Sequence, residues 1–105
     1  MVEKATGFKL GSSGRWEETS FYPDDGKYLL KKKGAAWEWS QFGDKHGMTC
    51  PAFNKFGLMN CDLIFGSLRV QRDTLRFIKT YTVGYIDGDK LGNTPSISIG
   101  KCSPL

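Results

Sequence analysis

The 105-residue chain is poor in the side chains that most enzymes rely on. It holds one histidine, His46, and three cysteines, Cys50, Cys61 and Cys102. A mechanism built on two imidazoles is therefore excluded within one chain. The three thiols and the imidazole lack the close Cys-x2–4-Cys pair of a structural zinc site, so no metal is expected. No calcium-binding loop and no phosphate-cradling glycine loop is present, and no cofactor is expected. No apolar run approaches the roughly 20 residues that a membrane-crossing helix needs. No segment carries apolar residues at the 3.6-residue spacing of an amphipathic helix. The opening residues, MVEKATGFKL, have no apolar stretch of the secretory type.

What the chain does contain is aromatic, basic and rich in turn residues. Seven Phe, four Tyr and three Trp carry much of the apolar load, and thirteen glycines supply frequent turns. The formal charge of +4 favours anionic partners without the cation density of a dedicated nucleic-acid binder. The length fits a single domain, 1–105.

Period-two alternation dominates, the mark of half-buried strands. It runs through 15–22, 27–33 and 36–42, with the Asp24-Asp25-Gly26 turn between the first two. A strand over 62–70 is interrupted at Gly66, where a bulge or bend is expected. The longest strand covers 75–86, and 96–99 is the last. One short helical turn is expected near 51–56, with Pro51 at its start and Gly57 at its stop. The expectation is an all-β fold, a small antiparallel β-barrel or β-sandwich of about six to eight strands.

The stretch HGMTCPAFNKFGLMNC, 46–61, decides how the cysteines are read. The favoured reading is a disulfide drawn from Cys50, Cys61 and Cys102, with Cys50–Cys61 and Cys61–Cys102 both open. Such a bridge implies an oxidising compartment, hence a periplasmic or secreted protein whose leader is absent from the sequence. Three reduced thiols, a zinc site, and a Cys50 nucleophile activated by His46 rank below it. Glu17 and Glu18 are adjacent on a strand and point to opposite faces, so they do not form one acid–base pair.

No catalytic residue is assigned. The expected activity is non-catalytic binding of another protein, as in an inhibitor, immunity or host-interaction protein. The loop residues Phe53, Lys55 and Phe56 are the first contact candidates, because functional loops ride on rigid β scaffolds. Trp37 and Trp39 follow, with core packing as the competing explanation. Lys79 completes the set. It shares the apolar parity of Leu75, Phe77 and Tyr81, which calls for a bulge, a side chain reaching water, or a ligand cavity. Two alternatives stand beside protein contact. One is a single-stranded nucleic-acid-binding barrel using Lys31–Lys33, Arg69, Arg72 and Arg76; the other is a small hydrolase or nuclease using His46. The oligomeric state is not legible.

Overall fold

A computed structural model describes residues 2–21, 28–41, 47–89 and 92–103. The Asp24-Asp25-Gly26 turn and His46 lie outside the described residues. Within them the chain is all β, with nine strands and no helix. These are β1 (Val2–Leu10), β2 (Trp16–Phe21), β3 (Tyr28–Lys33), β4 (Ala36–Gln41), β5 (Met48–Cys50), β6 (Leu58–Leu63), β7 (Gly66–Gln71), β8 (Arg76–Tyr81) and β9 (Ser96–Lys101). A six-stranded sheet has the order β2-β1-β9-β8-β7-β6, and a three-stranded sheet the order β3-β4-β5. Every ladder is antiparallel.

Followed from β2 through β6 and on to β5, β4 and β3, the order is that of an up-and-down barrel, each strand beside its chain neighbour. The barrel is not closed. Among the described residues no ladder joins β5 to β6 or β2 to β3. At the first seam, β5 offers three residues before Pro51, which has no N–H to continue pairing. The molecule is therefore a sandwich, with the smaller sheet packed on one face of the larger.

Register places the core. Met59, Val70, Phe77, Gly100 and Val2 form one row across β6, β7, β8, β9 and β1. Cys61, Leu68, Lys79, Ser98 and Ala5 form the next. Trp39 and Cys50 of the small sheet bury themselves against these rows, with Tyr28, Leu30 and Trp37 packed alongside. The Trp39 ring lies 6.2 Å from Phe77 and stacks on Tyr28 at 5.0 Å. Burying a side chain such as Leu68 fully stabilises the fold by about 2 kcal/mol.

The structure corrects several expectations. The helical turn at 51–56 is absent. Instead the Asn54 side-chain oxygen accepts from the amides of Phe56 and Leu58, and the Asn54 amide donates to the Leu58 carbonyl, which bends the chain without a helical turn. Gly57, at φ 77°, completes the reversal. Gly66 does not interrupt a strand; it begins β7 after a two-residue connection, Ile64-Phe65. The strand expected over 75–86 is shorter: β8 covers Arg76–Tyr81, and one more bond, from the Thr82 amide to the Phe65 carbonyl, continues its register. Positive φ at Leu75 (59°) and Gly84 (138°) takes the chain out of the extended conformation on either side. The strands β1 and β5 were not anticipated, nor was the part of β6 before Asp62.

Candidate protein-contact surface

The inward rows leave a second set of residues pointing away from the small sheet. Asn60, Arg69, Ile78, Ile99 and Lys4 form one outer row, each opposite the next. Asp62, Ser67, Thr80, Ile97 and Thr6 form the row beside it. Ser67 and Thr80 close their part of that row with a hydroxyl–hydroxyl hydrogen bond of 2.7 Å. The β9 strand is thus turned inside out. Its isoleucines, Ile97 and Ile99, face solvent at 50% and 42% exposure, while Ser96, Ser98 and the buried Gly100 take the inward positions. Ile78, directly opposite Ile99, is 47% exposed. Phe8, on the outward parity of β1, is 49% exposed.

Cations surround the isoleucines. Arg69 is beside Ile78 and Lys4 beside Ile99. Arg76 and Lys101 face each other two positions along the same strands. A hollow of about 590 Å³ opens here, lined by Ile78, Ile99, Leu58, Arg69, Arg76 and Lys101 among others. Glu3 also lines it, placed outward by a register shift between Val2 and Lys4.

The loop singled out from the sequence joins this hollow at its edge. The Gln71 side chain, part of the lining, donates to the Phe56 carbonyl at 3.2 Å. The Arg72 amide donates to Gly57 at 2.8 Å. Phe56 is 70% exposed, and the Lys55 ammonium lies 5.1 Å from its ring centre. Phe53 turns the other way, edge-on to Trp37 with 5.5 Å between ring centres. Trp39 is buried and Trp37 half-buried against the core. Lys79 keeps regular register with no bulge, and its ammonium stands 4.7 Å over the Tyr28 ring, a cation–π contact between the sheets. The six candidates thus divide. Phe56 is tied to the hollow's edge through Gln71, with Lys55 over its ring, while Phe53, Trp37, Trp39 and Lys79 belong to the packing between the sheets.

The remaining chemistry is sparse. Cys50 and Cys61 are joined in a disulfide, which removes Cys50 as a nucleophile. Cys102 is free and half-buried, and burial pushes its thiol above the ordinary value, away from thiolate reactivity. Among the described residues no group of three or more His, Cys, Asp or Glu is placed to hold a metal. Lys31–Lys33 lie on β3, an edge strand, where Lys33 pairs with Glu38 at 2.7 Å. Arg69, Arg72 and Arg76 belong to β7, β8 and the turn between them, on the other sheet. No family model, curated protein or solved structure matches the chain. No helix among the described residues is long and apolar enough to cross a membrane.

The sequence reading missed Ile78, Ile97, Ile99, Lys4 and Lys101. A signal was present in Ser-Ile-Ser-Ile-Gly-Lys, where either parity could be the inner one.

Proposed function

We propose that the protein is a non-catalytic binding module acting through protein–protein contact, by way of the outer face of its six-stranded sheet. The observation that carries this is β9, which spends its apolar side chains on solvent and its small ones on the interior. A sheet face presenting Ile78, Ile97, Ile99 and Phe8 together is an exposed apolar patch within a polar rim, the usual form of a contact surface. Inhibitor, immunity or host-interaction roles all work this way. A disulfide suits an extracytoplasmic location, periplasmic or secreted.

The test uses a double variant, Ile78→Ser with Ile99→Ser, on the intact disulfide-bonded protein. A partner captured by the wild type is purified and its affinity for both forms measured by calorimetry. The double variant should bind at least about 10-fold more weakly, a change of about 1.4 kcal/mol, with thermal unfolding close to the wild type. Equal affinities would overturn the reading.

A second reading has one observation in its favour: Arg69, Arg72 and Arg76 gather at one end of the large sheet near the exposed Phe56. A single-stranded nucleic acid would use such cations, and its affinity would fall steeply as salt rises.

A further inference from the structure

Resting on the protein-contact reading, we propose that the hollow beside Ile78 and Ile99 seats an apolar side chain from an acidic segment of the partner. Carboxylates on either side of that side chain reach Arg69 and Arg76. The floor supplies the first half of the argument. Ile78 and Ile99 stand directly opposite one another on β8 and β9, and Leu58 extends the apolar lining. Together they offer an aliphatic floor with room for a leucine or phenylalanine side chain and the residues that flank it.

The rim supplies the second half. Arg69, Arg76, Lys101 and Lys4 border the isoleucine pair, and among the described residues Glu3 is the one carboxylate lining the hollow. Among the described residues neither Arg69 nor Arg76 makes an ion pair. A guanidinium held at the edge of an apolar seat matches a carboxylate in two parallel hydrogen bonds.

The same features disfavour other occupants. A second copy of this chain, docked face to face, would bring these cations against each other. A nucleic acid would find isoleucines where stacking rings are needed, since Phe56 lies outside the hollow and beneath Lys55.

The experiment follows backbone amide shifts by NMR while blocked nine-residue peptides are added to the disulfide-bonded protein. The first has a central leucine flanked by two glutamates on each side. The controls replace the leucine with serine, or the glutamates with glutamine or lysine. A poly-thymidine oligonucleotide and phosphatidylglycerol vesicles complete the set. The acidic leucine peptide should shift amides of β7, β8 and β9 around Arg69, Ile78 and Ile99. Each control peptide should bind at least about 5-fold more weakly, as should the first peptide at high salt. Arg69→Glu with Arg76→Glu should transfer preference to the lysine peptide. Should that variant unfold, Arg69→Gln with Arg76→Gln should abolish the preference for glutamate over glutamine.

Shifts elsewhere, no binding, or equal binding of the glutamine peptide overturn the acidic-segment assignment. Binding by the oligonucleotide or the vesicles alone does so too. If the Ile78→Ser, Ile99→Ser variant still loses a purified partner, the contact reading survives that failure. If it does not, both fall.

Discussion

Cys50, the last residue of β5, is bonded to Cys61 in the middle of β6, with 4.9 Å between their Cα atoms. Both are buried, and they join the two sheets at a seam where the backbones form no ladder. Within each sheet neighbouring strands hold each other by hydrogen bonds. Here a covalent link and the packing of Trp39 on Phe77 replace them.

Removing that link should loosen the small sheet from the large one. Closing a loop over a sequence separation of 11 removes enough unfolded-chain entropy to stabilise the fold by roughly 3 kcal/mol. The variant Cys50→Ala with Cys61→Ala should lose about that much in urea unfolding. Alkylation of the denatured wild type without reduction should label Cys102 alone, and with reduction all three cysteines. Equal stability of the two proteins would rule out a structural role for the bridge.

Gly66 makes a second point of close approach. It pairs with Leu63 on one side and Tyr81 on the other, and a Cβ there would collide with the Thr80 carbonyl oxygen. Gly66→Ala must push β7 away from β8, at a cost of about 1–3 kcal/mol. The local damage should be visible in hydrogen exchange. The Ser67 amide, bonded to the Thr80 hydroxyl, and the Thr82 amide, bonded to the Phe65 carbonyl, should exchange faster than in the wild type. Unchanged exchange at both would show that the space is less tight than the geometry says.

These two sites also show where the sequence was legible. Alternation in Ala36-Trp-Glu-Trp identified β4, because both indoles pack toward the core while Glu38, on the other parity, pairs with Lys33. The same rule failed in β9. There Ile97 and Ile99 were free to be read as core, since periodicity fixes the alternation of faces and not which face is inside. In β1 the inner positions are Val2, Ala5 and Gly7, small residues that give little hydrophobic signal. Gly7 has to be small because a Cβ would meet the Pro95 carbonyl, a contact between segments nearly ninety residues apart. The hollow was illegible for the same reason: three different strands, β7, β8 and β9, contribute its cations and isoleucines, and register alone brings them together.

Trp39 and Phe56 should separate stability from contact. Trp39 is buried between Tyr28 and Phe77, so Trp39→Ala leaves a cavity between the sheets and should cost about 3–5 kcal/mol. Phe56 contributes its backbone carbonyl to Gln71 and leaves its ring in solvent. Phe56→Ala should change stability by no more than about 0.5 kcal/mol while weakening partner binding. Denaturant unfolding and calorimetric affinity on the same two variants check both halves. A large stability loss in Phe56→Ala would mean that its ring is part of the core.

The free thiol of Cys102 makes stability depend on alkaline pH. Its amide donates to the Leu75 carbonyl at 2.6 Å, which ties the end of β9 to the β7–β8 turn and holds the side chain half-buried against the core. Burial raises the thiol's folded-state value above the unfolded one, because the thiolate would lose hydration. The unfolded chain therefore gives up this proton first as pH rises. The contribution is fully present below the unfolded thiol's range and is lost as pH climbs through the folded value. Urea unfolding of the wild type and Cys102→Ala, compared from about pH 7 to about pH 10, isolates this group from the lysines and tyrosines that titrate nearby. The wild type's advantage over the variant should shrink on the alkaline side, with intact mass confirming that the Cys50–Cys61 bridge has not exchanged. An advantage that stays flat or grows with pH would mean that the Cys102 thiol is as well hydrated in the folded protein as in the unfolded chain.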